Sequence, residues 1–182
     1  VKDGVLVAAG EEERFSRRKH DSGFPKLAIQ FALAQGGITI HDVDYVVFYE
    51  KPFVKFERML ITAMSTFPRS SAVFRESMQR WISDKLWIKS MMLRELDIPS
   101  AKLLFCDHHM SHAASSFFTS HFQEAAILTM DGVGEWSTGT LGVGRGSKIE
   151  ILKELRFPHS LGLLYSAFTA YCGFEINEGE YK

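Results

Sequence analysis

His108 and His112 stand four residues apart in the stretch Asp107-His108-His109-Met110-Ser111-His112-Ala113-Ala114-Ser115. On a helix this spacing puts two imidazoles on one face, one turn apart, where they can share a cation. The glutamate that makes such a pair a hydrolytic zinc site is absent, because His109, Met110 and Ser111 fill the interval. A metal here would therefore do other work. Asp131 closes a second apolar run, Ala125-Ala126-Ile127-Leu128-Thr129-Met130, and Gly132-Val133-Gly134 follows it. Glycines there let the backbone come close to a ligand. Two neutral imidazoles and a carboxylate suit zinc or iron(II). Taken alone, the histidine pair also fits satisfied polar side chains at a helix start. Position favours the metal, since ligands of α/β sheets gather at the carboxyl ends of strands.

The elements that must position these groups follow from the pattern. Leu103-Leu104-Phe105 reads as a buried strand, Asp107 as a helix cap, and residues 125–130 as a further strand. Two adjacent strands are expected to bring His108, His112 and Asp131 to one ion.

The chain has 182 residues, 46% of them apolar and 24% charged, with net charge −1. That is enough for one domain or two small halves with a real core. The near-zero charge argues against a surface spread over nucleic acid. No apolar run is long enough to span a membrane, and no signal peptide is visible. Cys106 and Cys172 are the only cysteines, which favours a reduced, cytoplasmic setting over a disulfide scaffold. Val1 opens inside a strand-like stretch without an initiating methionine, and Lys182 follows directly on Gly179-Glu180-Tyr181. This reads as a piece of a longer protein.

In order, residues 5–9 read as one arm of a hairpin after a Lys2-Asp3-Gly4 turn. Residues 11–21 carry three acids and then a basic cluster. They read as a solvated loop, or as a site where Arg18 and Lys19 meet phosphate oxygens. A helix is expected over 25–35, packed on a sheet and ended by Gly36-Gly37, with a strand over 43–49. Residues 51–98 are rich in Phe, Met and Trp and read as helices broken near Pro68-Arg69-Ser70-Ser71. They pack on the core or on another subunit, or form a cap that selects substrate. Residues 132–144 form a hairpin whose amides could cradle an anion. A strand over 148–157 and a helix over 161–171, capped by Ser160 and ended by Gly173, complete the series. His109 and His159 are general-base candidates by type, though a core or capping role suits each better.

Five ordered motifs run through the chain. They are Glu12-Glu13-Arg14-Phe15-Ser16-Arg17-Arg18-Lys19-His20-Asp21 with Phe24-Pro25, then the histidine stretch from Asp107, then Asp131-Gly132-Val133-Gly134-Glu135-Trp136. Phe157-Pro158-His159-Ser160-Leu161-Gly162-Leu163-Leu164-Tyr165 and Gly179-Glu180-Tyr181-Lys182 follow. Together they resemble the O-carbamoyltransferases of nodulation factors and of antibiotics such as cephamycin and tobramycin. The resemblance implies an α/β fold of the duplicated, actin-like ATPase type. Residues 1–124 would be its first subdomain, with a helical insertion at 51–98, and 125–182 the start of the second. It implies transfer of a carbamoyl group from carbamoyl phosphate, through a carbamoyl-adenylate made with ATP, to a hydroxyl of a sugar or antibiotic-type acceptor. It implies iron(II) or a similar divalent metal on His108, His112 and Asp131, with a further aspartate expected beyond Lys182. Lys19 and Arg18 would contact the adenylate, Gly132 and Gly134 would lie near its phosphate, and Glu180 and Lys182 would approach the nucleotide. The family's opening His-Asp strand and its adenylate-forming domain are missing from this stretch, so these residues alone are expected to be inactive. The competing readings are an actin-like sugar kinase or ATPase, and a non-enzymatic module that forms a homo-oligomer through residues 51–98.

Overall fold

A computed structural model describes residues 1–21, 23–83 and 87–176. The chain divides into two compact units, Val1–Val46 with Met92–Leu103, and Val47–Met91 with Leu104–Lys182.

In the first unit, α1 (Glu12–Ser16) and α2 (Lys26–Gly36) pack together, and Phe15 and Phe31 meet with ring centroids 5.1 Å apart. Pro25 sits at the start of α2 with no side-chain acceptor for the helix's free amides. Glu12 supplies one, accepting from the N–H of Leu27 at 3.1 Å and of Ala28 at 2.8 Å. The acidic part of this stretch is thus a short helix that caps the next one, while Arg17, Arg18, Lys19 and His20 follow it as an exposed loop. In the same way α2 rests on α1, where packing on a sheet was expected. Gly37 ends α2 with φ 62°, the left-handed conformation that glycine adopts freely.

The expected hairpin arm at 5–9 does not form. Lys2 and Val5 exchange two backbone hydrogen bonds of 2.9 Å around Asp3 and Gly4, both at positive φ. That is hairpin-type turn geometry. Residues 6–9 have no ladder partner among the described residues, and an apolar run alone cannot make a strand.

A short two-stranded sheet pairs β1 (Val46–Phe48) with β2 (Leu103–Phe105). The aromatic stretch folds as α3 (Pro52–Ser65), α4 (Ser71–Ser83) and α5 (Ile88–Leu96), broken at Pro68 as its sequence indicated. Buried Trp81 of α4 packs on Phe56 of α3.

The larger sheet of the second unit is an antiparallel meander of β3 (Glu124–Met130), β4 (Ser137–Arg145) and β5 (Lys148–Arg156). Ile127 pairs with Gly142 and Thr129 with Thr140, so the alternate residues of each strand share one face. α6 (His108–Phe117) lies on that face. Ala113, Phe117 and Ile127 form its core, with Ala125 and Ile149 packed beside them. Gly144 makes the fit possible: a Cβ there would stand 2.7 Å from the Phe117 ring. α7 (Leu161–Tyr171) begins with the Ser160 hydroxyl accepting from Leu163 N–H at 3.0 Å and ends at Gly173, φ 82°. The α/β class read from sequence stands. No helix of the described residues is long and apolar enough to cross a membrane.

Candidate metal centre

α6 carries two stripes of side chains at four-residue spacing. His109, Ala113 and Phe117 are buried against the sheet. His108 and His112 run alongside them, the first half-buried and the second exposed. The apolar stripe docks the helix, and docking aims the histidine stripe over the end of β3. β2 and β3 belong to separate sheets. The expected route to the cluster, through adjacent strands, is therefore corrected: the cluster forms because a helix packs across a hairpin.

The geometry is close. His108 Nε2 lies 2.6 Å from Asp131 Oδ2, His112 Nε2 lies 3.1 Å from His108 Nε2, and His112 Nε2 lies 3.7 Å from Asp131 Oδ2. The roles of the two ring nitrogens in this triangle depend on their tautomers. His108 Nε2 either carries a hydrogen for Asp131 or offers a lone pair to His112, not both. A cation would accept all three lone pairs at once. Ligand atoms about 2.1 Å from one cation sit roughly 3.0–3.4 Å from each other in octahedral or tetrahedral order; the His108–His112 distance of 3.1 Å lies in that range, with 2.6 Å and 3.7 Å on either side of it. The donor set fits a divalent transition ion. Burial pushes the Asp131 carboxyl up, but the Gly132 N–H and the His108 ring outweigh it and hold the group below the usual aspartate range.

The turn that bears Asp131 is held from several sides. The Ser160 hydroxyl donates to Gly132 O at 2.7 Å, and Gly162 of α7 lies against the Asp131 carbonyl. Gly132 N–H donates to Asp131 Oδ1 at 2.6 Å and Gly134 N–H to Ser137 O at 2.9 Å. Both amides are thus engaged within the turn, which leaves neither free to cradle an anion in this arrangement. Gly134 contributes space instead, since a Cβ there would stand 3.0 Å from the Cβ of His108.

His109 is not placed as a base. It is 3% exposed, with Nδ1 2.7 Å from Thr129 Oγ1 and Nε2 2.9 Å from the carbonyl of Ser137. A carbonyl only accepts, so Nε2 carries the proton, and Thr129 donates to Nδ1 while taking a bond from Thr140 at 2.6 Å. Burial lowers the pKa of this imidazole and keeps it neutral. His159 is exposed.

Arg18 and Lys19 follow α1 in the first unit, and both are exposed. Glu180 and Lys182 lie outside the described residues.

The sequence reading missed Glu135, Lys51 and Tyr49. Glu135, 7% exposed, accepts from Lys51 N–H at 2.7 Å and from His108 N–H at 3.1 Å. Asp107 holds the cap position of α6, but its side chain makes no cap bond and pairs with Lys51 Nζ at 2.8 Å. Tyr49 lies against His108 with ring centroids 5.6 Å apart. The one signal for Glu135 was an acid set between a glycine turn and a tryptophan. A buried carboxylate cannot be told from an exposed one on that basis.

A mixed α/β unit with two imidazoles and a carboxylate converging at the end of a strand defines a candidate metalloprotein domain. The family model described as "Carbamoyltransferase N-terminus" matches residues 1–182, and the chain belongs to that family. It is similar to the uncharacterized protein sll1178 of Synechocystis, with 52% identity across all of this chain and 31% of that protein. It is also similar to the nodulation protein NolNO of Sinorhizobium fredii, with 32% identity across all of this chain and 26% of that one. The uncharacterized protein MJ1051 of Methanocaldococcus jannaschii is 25% identical across all of this chain and 29% of its own. The chain thus spans under a third of the length of these relatives.

Proposed function

We propose that this chain is the metal-bearing part of an O-carbamoyltransferase. Carbamoyl phosphate and ATP would yield a carbamoyl-adenylate with release of phosphate and pyrophosphate, and from it the carbamoyl group passes to a hydroxyl of a sugar, oligosaccharide or antibiotic-type acceptor. The observation that carries the reading is the convergence of His108, His112 and Asp131, whose ligand atoms lie within 4.8 Å of one another, in a chain of this family. The duplicated actin-like fold divided near residue 124, the roles of Arg18, Lys19, Glu180 and Lys182 toward the nucleotide, the closeness of Gly132 and Gly134 to its phosphate without an amide bond to it, and the cytoplasmic setting belong to the same proposal.

In the transfer step the acceptor oxygen attacks the carbamoyl carbon and its hydroxyl proton is released to water, the bond from that carbon to the adenylate oxygen breaks, and AMP leaves. A divalent cation held by His108, His112 and Asp131, iron(II) or similar, would supply positive charge for the oxyanion or the phosphate. The chain's own contribution is rigidity and charge control. Asp131 stays ionised because Gly132 N–H and His108 favour its charged form. His109 stays neutral and locked in the sheet, so a cation at the neighbouring imidazoles meets no second positive ring. α7 and Ser160 hold the Asp131 turn against the drift that would open the triangle.

Metal analysis and a carbamoylation assay on the intact protein test this. About one transition metal per chain is expected, lost in His108→Ala, His112→Ala and Asp131→Asn together with carbamoyl transfer to a hydroxyl acceptor. Retention of metal and activity in all three variants overturns the reading. So does activity that needs magnesium alone and phosphorylates the acceptor.

A further inference from the structure

Glu135 is a carboxylate buried to 7% exposure whose partners are the backbone N–H groups of Lys51 and His108. Burying a charge is costly unless it is matched, so its bonds must do work. His108 is the first residue of α6, where the amides have no partner inside the helix. A side chain at the cap position normally takes these bonds. Here the cap residue Asp107 turns away to Lys51 Nζ, and the carboxylate arrives from the β3–β4 turn, 27 residues downstream. That turn also carries Asp131. One carboxylate therefore ties the helix that presents His108 to the loop that presents Asp131, and fixes both to Lys51 just before α3.

We propose that Glu135 is the positioning residue of the centre, setting the distance between His108 and Asp131 by capping α6 from the turn that carries Asp131. The inference rests on the metal reading above and goes beyond it, because Glu135 acts through the backbone amides of His108 and Lys51 rather than as a ligand. Outer-shell partners of metal ligands typically change affinity by about 10–100-fold when removed. The glutamate accepts with both oxygens, so a glutamine, which offers one carbonyl oxygen, keeps only part of the bonding.

The test uses the intact protein with cobalt(II) as the probe. Glu135→Ala should weaken cobalt binding by about 10–100-fold and Glu135→Gln by less. Both should shift the visible cobalt bands that report ligand geometry. Trp81→Ala, in the α3–α4 pair, is the control for lost stability and should leave affinity and spectrum unchanged. In metal-free protein the imidazole nitrogen resonances of His108 should move in both Glu135 variants and stay fixed in Trp81→Ala. Wild-type affinity, spectrum and His108 resonances in both Glu135 variants overturn the inference. Equal losses in Trp81→Ala overturn it too, since they reduce the effect to stability. If His108→Ala binds cobalt as tightly as wild type, the metal reading falls, and the His108 resonances still decide whether Glu135 positions the ring.

Discussion

His108 Nε2 lies 2.6 Å from Asp131 Oδ2, although 23 residues separate them in the chain. Neither side chain reaches far. The approach follows from the packing of Ala113 and Phe117 on Ile127, which lays α6 across β3, and from the tight turn that lifts Asp131 off the strand end.

Metal removal should leave the fold in place and lower its stability. The α6–sheet core is apolar and does not depend on the triangle. Bound metal at 100 times its dissociation constant adds about 2.7 kcal/mol. Chelation of the intact protein should lower its melting temperature with little change in far-UV circular dichroism. Loss of all helical signal on chelation would contradict this.

Gly134→Ala should damage the centre through crowding. The new methyl group would stand 3.0–3.3 Å from the Cβ, Cγ and Cδ2 of His108. Overpacking of this kind costs about 1–3 kcal/mol. Metal affinity should fall along with stability, because the ring that must yield is a proposed ligand. A titration with zinc or cobalt measures it.

Phe117 and Gly144 should be coupled. Phe117→Ala empties the core under α6 and should cost about 3–5 kcal/mol. Gly144→Ala drives a methyl group into the same ring, 2.7 Å away, and should also destabilise. In the double variant the methyl meets no ring, so the combined loss should be smaller than the sum of the two. Additive losses in a double-mutant cycle would count against the contact.

Glu12→Ala should fray α2. Its two amide bonds are a helix cap supplied by another helix, worth about 0.5–2 kcal/mol. Amide hydrogen exchange at Leu27 and Ala28 should speed up first. A basic side chain at position 12 should be worse than alanine, since it would face the positive end of the helix.

Asp42 gives a pH dependence of known sign. Its carboxylate accepts from Thr39 N–H at 2.8 Å and from the Thr39 hydroxyl at 2.7 Å. The hydroxyl first and the amide next hold its pKa below the ordinary 3.8. A group lowered by folding stabilises at pH above its unfolded value and loses that contribution as the pH falls through the folded one. The advantage of wild type over Asp42→Ala should therefore be full at neutral pH and shrink below pH 3.8. Unfolding measured across the acid range checks it.

Much of the local structure was legible in the residues themselves. The helix breaks at Pro68, the glycine ends at Gly37 and Gly173 and the Ser160 cap express short-range preferences, and those travel with the sequence; the hairpin expected over 132–144 is instead a turn followed by the single strand β4. So did the choice of His108, His112 and Asp131, because a four-residue spacing and an acid after an apolar run survive without coordinates. The resemblance of five ordered motifs carried the family.

What only the tertiary structure decided were the long-range partners. Residues 6–9 are an apolar run like a strand but have no ladder partner among the described residues, and a strand exists only where a second edge accepts its bonds. Asp107 looked like the cap of α6, yet Lys51 takes its carboxylate and Glu135 takes the helix. Glu12 looked solvated and caps α2. For Asp107 and Glu12 a charged side chain had several local options. The one realised depended on which distant backbone amide was brought near and shielded from water, a fact set by packing rather than by neighbours in the chain.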